Sequence, residues 1–273
     1  IYTIEQNRVT KFYAVPTIYV RMLTLDNLKE KLRSLRYSFS AAASMAAELV
    51  REWKDRMSLD IHEAYGMTES ASMVTYNHYY RHVIGSVGTP VNTIEVHIRD
   101  LEGNILAPGS EGEICIRGPN IMKGYLNQPG ETRSVFWDEW FRSGDIGVMD
   151  ENGYLYIVDR LKDMIITGGE NVYPSEVESA VGAHEAIKDI AVIGVPDEKW
   201  GEAVKAVVVL HDGYEPSEEL AREIMEWSRD KIAGYKRPKS IDFIKDEEMP
   251  RTPTGKILHR LLREKYGKWS DEQ

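Results

Sequence analysis

The chain has 273 residues, of which 42% are hydrophobic and 29% charged, so it can close a globular core without metals or disulfides. With 34 Lys and Arg against 44 Asp and Glu, the net charge of −10 argues against nucleic acid or an anionic membrane as the main partner. The single cysteine, Cys115, excludes an intrachain disulfide framework and fits a reducing compartment. The apolar runs are too short for a membrane span.

The chain opens with Ile1-Tyr2-Thr3-Ile4, without Met and without the basic and apolar regions of a signal peptide. We therefore expect a cytoplasmic protein that is either processed or part of a longer polypeptide. Helical spacing of apolar residues then predicts helices over 26–35 and 46–57, with Ser44 as the N-cap of the second. Between these helices, 35–39 is a candidate strand.

From about residue 85 the pattern becomes that of a β structure. Residues 94–98 and 113–117 are predicted strands, and 146–149 and 154–158 are predicted to form a hairpin around Glu151-Asn152-Gly153. Turns are predicted at Glu102-Gly103-Asn104 and at 108–112, between the first two of these strands.

Beyond Arg160 a strand at 164–167 and a Gly-Gly turn lead to a helix that opens at Pro174, where Ser175 and Glu178 form a capping-box pattern. The later predicted elements are strands at 187–195, 203–210 and 241–244, and helices at 217–233 and from about 256. This order predicts a small α+β domain over 161–273, preceded by part of a larger domain over 1–160.

Two stretches before residue 150 could carry chemistry. Thr68 and Glu69 offer a hydroxyl and a carboxylate to a Mg²⁺–phosphate group, with Tyr65 as an aromatic face for a base. Asp145 follows Ser-Gly at a predicted strand start and could accept two hydrogen bonds from a ribose diol. Taken singly, the first stretch is better interpreted as an ordinary turn, and a turn-stabilising Asp is at least as good an interpretation of Asp145.

Three further stretches lie after residue 157. The charged run 158–163 is either functional or a solvated hairpin edge. Gly168-Gly169, predicted to lie between a strand and a helix, lets a narrow ligand approach the backbone, or is simply a tight turn. Lys256 lies on a loop bounded by Pro and Gly, where it is either a point charge for a phosphate or carboxylate or a surface lysine.

Together and in this order, these motifs resemble the adenylate-forming superfamily, which includes acyl-CoA synthetases, adenylation domains of peptide synthetases and luciferases. The stretches that carry the resemblance are Tyr65-Gly66-Met67-Thr68-Glu69, Gly124-Tyr125, Ser143-Gly144-Asp145, Asp159-Arg160-Leu161-Lys162, Gly168-Gly169-Glu170-Asn171 and Pro253-Thr254-Gly255-Lys256. The resemblance implies an α/β and α+β protein: the remainder of a large adenylate-forming domain, with an α/β part and a β-barrel-like subdomain, followed by a small mobile α+β domain.

The resemblance also implies nucleotide-binding roles in the first part of the chain. Tyr65 would stack on adenine, in a pocket lined by Ala42, Ala43, Glu63 and Ala64. Thr68 and Glu69 would serve phosphate and Mg²⁺, with Glu69 as the metal ligand. Asp145 would hold the ribose hydroxyls with help from Arg160. Residues 12–17 and 74–86 would border the acyl pocket.

In the second part, Lys162 would be the hinge between the domains, and Gly168 and Gly169 would line the channel for CoA. Lys256 would be the catalytic lysine that bridges the carboxylate and the α-phosphate. The implied activity is that of an acyl-CoA synthetase, which converts ATP, CoA and a fatty or aromatic acid to acyl-CoA, AMP and pyrophosphate through an acyl-adenylate.

The sequence departs from the family in two places. The Ser/Thr/Gly-rich phosphate loop ending in Pro-Lys does not occur in residues 1–273, and the usual Gly-Gly-Ala-Pro is replaced by Ser40-Ala41-Ala42-Ala43-Ser44. We therefore expect the carboxy-terminal half of a longer enzyme, inactive in adenylation without the amino-terminal half. Two alternatives stay open: an adenylation domain that loads a carrier protein, and a non-catalytic nucleotide-binding fragment. The oligomeric state is open as well.

Overall fold

A computed structural model describes residues 1–41, 45–252 and 255–267. The chain divides into two compact units, Ile1–Ile157 and Val158–Gln273. The assignment of 1–160 and 161–273 to a large and a small functional domain stays a prediction. The predicted pocket residues Ala42 and Ala43 and the predicted cap Ser44 lie outside the described residues.

The first unit contains five helices and the first nine strands among its described residues, and it shares β10 with the second unit. In chain order they are α1 (Tyr2–Gln6), β1 (Lys11–Ala14), α2 (Pro16–Leu23), α3 (Leu28–Lys31), β2 (Tyr37–Ser40), α4 (Ala47–Met57), β3 (Ile61–Tyr65), β4 (Thr75–Tyr76), β5 (Thr89–Pro90), β6 (Glu95–Arg99), β7 (Glu111–Arg117), α5 (Pro129–Ser134), β8 (Phe136–Trp137), β9 (Trp140–Met149) and β10 (Leu155–Arg160).

The second unit continues from the end of β10 through its own described elements. They are β11 (Ile165–Thr167), β12 (Glu170–Val172), α6 (Pro174–Gly182), β13 (Ile187–Asp197), β14 (Gly201–Leu210), α7 (Glu218–Trp227), β15 (Ser240–Ile244) and α8 (His259–Tyr266). Within the described ranges, no helix combines the length and the apolar character that crossing a membrane requires.

A mixed sheet in the order β1-β2-β3-β4-β5 opens the first unit, with β1, β2 and β3 parallel and the other pairs antiparallel. Helix α4 buries Val50, Trp53 and Met57 at helical spacing, which explains why 47–57 folds as predicted. Trp53 meets Tyr19 of α2 edge to face, with ring centroids 4.9 Å apart. This core holds the parallel strands in register, and so fixes where β3 ends.

The second sheet of the first unit has the order β10-β9-β7-β6, with β8 paired to β9. The pairs β6–β7, β7–β9 and β8–β9 are antiparallel. Ile114, Ile116 and Leu155 are fully buried in its core. The hairpin predicted around Glu151-Asn152-Gly153 is confirmed, but its first strand begins at Trp140, six residues before the predicted start.

The second unit is built on the sheet β12-β11-β14-β13, to which β15 adds in parallel beside β14. The long β13–β14 pair carries the alternating apolar residues that the sequence shows, and Val192, Val204 and Val208 are buried in its core. The predicted strands at 187–195, 203–210 and 241–244 are therefore confirmed, with small shifts at their ends. An α+β unit is the observed result.

Three predicted helices were too long. Helix α3 covers only Leu28–Lys31, and its late start follows from Asn27, which has a φ of 55°. Helix α7 ends at Trp227, where the hydroxyl of Ser228 donates to the carbonyl of Met225 and competes with the helical hydrogen bonds. Helix α8 begins at His259 rather than near Lys256.

The predicted capping box at the start of α6 is wrong, although the helix does open at Pro174. The hydroxyl of Ser175 donates to the carbonyl of Val158 at 2.7 Å instead of accepting from its own helix. The carboxylate of Asp159 accepts from the Ser175 amide at 2.8 Å and so caps the helix from another element. A cap supplied over such a sequence distance has no local signature.

Candidate active site

The first group of predicted residues follows the end of β3. Tyr65 is the last residue of the strand, and Thr68 and Glu69 lie on a short 3₁₀ turn directly after it. Gly66 makes this geometry possible, because a Cβ at that position would lie 2.2 Å from the carbonyl oxygen of Ser72. The chain therefore folds back tightly, leaving Thr68 exposed and Glu69 half-buried.

Tyr65 and Asp145 are 80 residues apart in sequence and in direct contact. The Tyr65 hydroxyl donates to Oδ2 of Asp145 at 2.7 Å, and Asp145 is 7% exposed. The structure thus brings together the residue predicted to stack on adenine and the residue predicted to hold the ribose. The two side chains therefore belong to one small site.

Asp145 does not lie at a strand start, as predicted, but inside β9. Its orientation comes from an irregularity: Glu113 of β7 pairs with Ile146, whereas Cys115, two residues on, pairs with Arg142, four residues back. The bulge contains Gly144 with a φ of 70°, a conformation that favours glycine. Bulges of this kind are frequent next to active sites because they change the direction of a side chain.

Glu69 contacts Tyr125, a residue of the Gly124-Tyr125 stretch for which no role was predicted. The Tyr125 hydroxyl donates to Oε1 of Glu69 at 3.0 Å, and the Glu69 carbonyl accepts from the amide of Met122 at 2.8 Å. Burial, and then the carboxylate of Glu69, raises the pKa of the Tyr125 phenol. One oxygen of Glu69 is therefore held by Tyr125, and this contact orients the carboxylate.

Within the described residues, no group of three or more His, Cys, Asp or Glu side chains could by itself hold a metal ion. A carboxylate such as Glu69 and a hydroxyl such as Thr68 are nevertheless the hard oxygen donors that Mg²⁺ takes, usually one or two from the protein alongside substrate phosphates. The residues present fit that kind of incomplete site.

Glu63 lies on β3, two residues before Tyr65, and is 6% exposed. Its Oε2 has no hydrogen-bond partner among the described residues. Burial raises the pKa of this carboxyl to about 7. An unpaired buried carboxyl is costly to ionise, so Glu63 is suited to donate or accept a hydrogen bond in its neutral form.

The stretches predicted to border an acyl pocket, 12–17 and 74–86, are partly packed and partly exposed, with Tyr13, Tyr79 and Tyr80 among the exposed side chains. Phe12 meets Tyr19 edge to face at 5.6 Å, and Val74 is fully buried. The amide of Asn77 holds the following loop by donating to the carbonyl of Ser86 at 2.7 Å and accepting from the amide of Val83 at 3.1 Å. Both stretches contribute residues to the sheet that carries Tyr65, through β1 and β4.

The second unit begins with the charged stretch that ends β10. Asp159 caps α6, as described above, and its other oxygen accepts from the Arg160 amide at 2.6 Å. Arg160 is exposed, and Lys162 is exposed on the 3₁₀ turn Leu161–Asp163. The charged cluster is therefore partly structural, through Asp159, and partly exposed, through the two basic residues.

Gly168 and Gly169 do not lie between a strand and a helix, as predicted, but in a two-residue turn between β11 and β12. Both glycines have positive φ, 60° and 85°, which is the backbone of a type I′ hairpin turn. A Cβ on Gly168 would lie 2.8 Å from the Trp200 ring, whereas one on Gly169 meets nothing within 4 Å. Gly169 therefore offers open backbone at the tip.

Lys256 is exposed on a turn stabilised by the backbone around it. The Lys256 amide donates to the Thr252 hydroxyl at 3.1 Å, its carbonyl accepts from the Thr252 amide at 2.8 Å, and Gly255 has a φ of 90°. Arg251 pairs with Ile257 across the turn. Pro253 and Thr254 of the predicted motif lie outside the described residues.

Two contacts fix α8, the helix that follows this turn. His259 Nε2 lies 2.8 Å from Oε1 of Glu178, and Arg263 donates to Asp163 at 2.8 Å. Burial acts to lower the pKa of His259, but the hydrogen bond and charge of Glu178, with Asp163 and Asp159, raise it overall. The turn that carries Lys256 is thus attached to a well-anchored helix.

Sequence reasoning missed three side chains that support these sites: Tyr125, Glu113 and His259. The only local signal was a charged residue where a strand should be apolar, as Glu113 is before Ile114-Cys115-Ile116. Glu113 is 2% exposed and contacts Arg142 and Gly144 of the Asp145 bulge. Such partners follow from tertiary packing.

Comparisons with known proteins show which family the chain resembles. The AMP-binding enzyme family matches residues 1–126, and the AMP-binding enzyme C-terminal domain family matches residues 176–256. The chain is 42% identical to a feruloyl-CoA synthase of an Amycolatopsis species, over 97% of this chain and 53% of that protein. It is also 42% identical to a long-chain-fatty-acid–CoA ligase of Bacillus subtilis strain 168, over 96% of this chain and 46% of the ligase.

Among solved structures, ATP-bound MatB from Rhodopseudomonas palustris superposes with a TM-score of 0.88 at 38% identity, over 96% of this chain and 52% of that chain. Adenylate-forming enzymes are thus the class that the fold and the sequence define. The chain belongs to the AMP-binding enzyme family. It spans about half the length of the relatives that it matches.

Proposed function

We propose that this chain is part of an AMP-forming acyl-CoA synthetase, which converts ATP, a carboxylic acid and CoA to acyl-CoA, AMP and pyrophosphate through an acyl-adenylate. Family membership supports the class of reaction. The observation that carries the proposal is the contact between Tyr65 and Asp145, because it joins an aromatic face and a carboxylate, the two groups that a nucleoside needs, from separate elements.

In the proposed nucleotide site, Tyr65 stacks on adenine, and Asp145 accepts hydrogen bonds from the ribose with help from Arg160. Ala42, Ala43, Glu63 and Ala64 line the base pocket, as the resemblance implies. The neutral form of Glu63, favoured by its raised pKa, supports this role because it can hydrogen-bond a neutral base without leaving a buried charge. Thr68 receives phosphate oxygens, and Glu69 is the Mg²⁺ ligand.

The adenylation step brings a carboxylate against the α-phosphate of ATP, and the two groups repel each other. An exposed lysine whose backbone is held by hydrogen bonds, such as Lys256, can supply positive charge to both groups. Mg²⁺ held by Glu69 and the phosphates would neutralise further charge. The attacking oxygen belongs to the substrate, so no protein nucleophile is needed.

The second step transfers the acyl group to the thiol of CoA. We propose that the Gly168-Gly169 hairpin lines the channel for the pantetheine arm, since its tip has no side chain and its backbone is open to close approach. Lys162 is the proposed hinge about which the small domain turns between the two steps. AMP leaves as the anhydride is opened.

The proposed substrate is a fatty or aromatic carboxylic acid, because the relatives include a feruloyl-CoA synthase and a long-chain-fatty-acid–CoA ligase. The proposed enzyme also needs a preceding half of the same polypeptide, which would supply the phosphate loop. A cytoplasmic location completes the proposal, since the single thiol of Cys115 suits a reducing compartment.

The proposal is tested on a polypeptide that carries this chain together with its preceding half, by following pyrophosphate, AMP and acyl-CoA with a panel of short, long and aromatic acids. We expect all three products, and we expect the release of pyrophosphate to depend on one class of acid. Pyrophosphate release that does not respond to CoA would favour an adenylation domain that loads a carrier. Nucleotide binding without any product would favour a non-catalytic module.

A further inference from the structure

Glu113 is a buried carboxylate on β7 that no part of the proposed reaction uses directly. It is 2% exposed, and strand β9 alone supplies the three polar contacts described for it. Its position matters because it lies where the β7–β9 ladder loses register, beside Ser143-Gly144-Asp145. A charged group is rarely buried unless its hydrogen bonds are satisfied, so the environment of Glu113 indicates what the residue holds.

The bulge in β9 leaves the Gly144 amide without a regular acceptor in the ladder, and Glu113 supplies one. Between the paired positions Glu113–Ile146 and Cys115–Arg142, β9 has two more residues than β7, so Gly144 is displaced from the regular ladder. The Gly144 amide donates to Oε1 of Glu113 at 3.1 Å instead. The carboxylate thus supplies the acceptor that a regular partner strand would have supplied.

The other carboxylate oxygen of Glu113 holds the near end of the same segment. Oε2 accepts from Nε and Nη2 of Arg142, at 2.9 and 2.8 Å. The guanidinium of Arg142 lies over the Trp137 ring, with Cζ 4.1 Å from the ring centroid. One buried carboxylate therefore fixes both the start of the bulge and its central amide.

The far end of the segment is the carboxylate of Asp145. The Ser143 hydroxyl accepts from the Asp145 amide at 3.0 Å, so the turn closes on itself between the Gly144 anchor and Asp145. The Asp145 side chain then meets Tyr65 at 2.7 Å. A shift of the bulge would move the Asp145 carboxylate relative to Tyr65.

We propose that Glu113 is a positioning residue for ribose recognition: it holds the β9 bulge so that Asp145 presents its carboxylate to the nucleotide. The inference rests on the proposed function for the identity of the ligand, although not for the contacts within the bulge. Glu113 itself touches no substrate in this proposal and acts through Gly144 and Arg142.

The chain offers a matched control in the same sheet. Glu95 of β6 forms a bidentate pair with Arg117 of β7, which resembles the Glu113–Arg142 pair in chemistry but is exposed and remote from the bulge. Glu113→Gln and Glu95→Gln remove one charge each while keeping the side-chain shape. Glu113→Asp keeps the negative charge but moves the carboxylate away from Gly144 and Arg142, because the side chain is one methylene shorter. It provides a second variant if Glu113→Gln folds poorly.

The first measurement is amide hydrogen exchange in the 273-residue chain. Loss of a charge-assisted hydrogen bond should speed exchange within 143–145 by roughly tenfold or more in Glu113→Gln, with β6 unchanged. Glu95→Gln should leave 143–145 as in the wild type. Unchanged exchange at 143–145 in both Glu113 variants would overturn the inference, whatever the reaction of the enzyme.

The second measurement uses the longer polypeptide and compares ATP with 2′-deoxy-ATP in pyrophosphate release. We expect the KM for ATP to rise about tenfold in Glu113→Gln with kcat changed much less, because ribose contacts bind ground and transition states alike. The preference for ATP over 2′-deoxy-ATP should fall at the same time. A general loss of stability would not change the preference between the two nucleotides.

The variant Asp145→Ala distinguishes a failure of this inference from a failure of the proposed function. If Asp145→Ala loses the preference for ATP and Glu113→Gln retains it fully, Glu113 does not position Asp145 and the inference is wrong. If Asp145→Ala retains the preference, the ribose role in the proposed function is wrong, and the exchange experiment still decides whether Glu113 holds the bulge.

Discussion

The two units hold their proposed functional groups in different ways. In the first unit, Asp145 and Glu69 are held by side chains, Tyr65 and Tyr125, that come from distant positions in the sequence. In the second unit, Lys256 is exposed and is placed by hydrogen bonds of its own short turn. Recognition of a nucleotide needs several groups fixed together, whereas delivery of one charge needs only a rigid support.

The strongest test of this comparison is Lys256→Ala. Pyrophosphate release that depends on the acid should fall by roughly 10²–10³-fold, because a charge that stabilises the transition state is lost. Thioester formation from an acyl-adenylate made beforehand should stay nearly unchanged. The two half-reactions are measured separately in the longer polypeptide by pyrophosphate release and by acyl-CoA formation.

Lys265→Ala is the matched control for that variant, since Lys265 is an exposed lysine of the same unit that pairs with Glu248. It should leave both half-reactions as they are. An equal loss of both steps in Lys256→Ala would show that the lysine has no specific role in adenylation.

A second test concerns buried polar groups in the first unit. The pKa of Glu63 is raised to about 7, above the usual 4.5, so folding favours the protonated form and stability falls as pH rises from about 4.5 through 7. Glu63→Gln removes this penalty and should raise the free energy of unfolding by about 2–3 kcal/mol above pH 7, with little effect near pH 4.5. Urea unfolding at both pH values measures the difference.

Glu102→Gln, on an exposed turn of the same unit, provides the comparison for Glu63 and should show no such pH dependence. A Glu63→Gln variant with the same stability gain at pH 4.5 and pH 8 would mean that folding does not raise the pKa of this carboxyl.

A third test examines whether the Gly168-Gly169 turn of the second unit lines the proposed channel for CoA. Gly169→Val places a side chain at a φ of 85° and should cost roughly 1–2 kcal/mol of stability. Gly213→Val should cost about as much, since Gly213 has a φ of 97° and equally open surroundings. Only Gly169→Val should slow thioester formation while leaving adenylation intact. Equal thioester rates in the two variants would contradict the channel.

The smallest expected effect concerns the helix that supports Lys256. The pKa of His259 is raised, so its pairing with Glu178 stabilises the fold below about pH 6.5 and the contribution is lost as pH rises through the folded pKa. His259→Gln keeps a neutral donor and should cost roughly 1–2 kcal/mol at pH 5.5 and less at pH 9. Thermal unfolding across this range measures the effect, with the exposed His211→Gln as a control that should not alter the profile.

The comparison also explains which parts of the site were predictable. The turn at Thr68 and Glu69 and the hairpin around Asn152 follow from local patterns, and both were predicted. Three features were not predicted: the start of β9, the position of Gly168-Gly169 in a hairpin, and the cap of α6. Each depends on a partner strand or on a residue distant in sequence, such as Asp159.

The sequence by itself determined the family, the order of the motifs and the chemical types of the proposed site residues, since these depend on residue identity and spacing along the chain. Tertiary structure alone decided which side chains meet: Tyr65 with Asp145, Tyr125 with Glu69, and Glu113 with the bulge. The physical reason is that a buried polar group must find a partner wherever packing allows, and packing joins residues that are far apart in sequence.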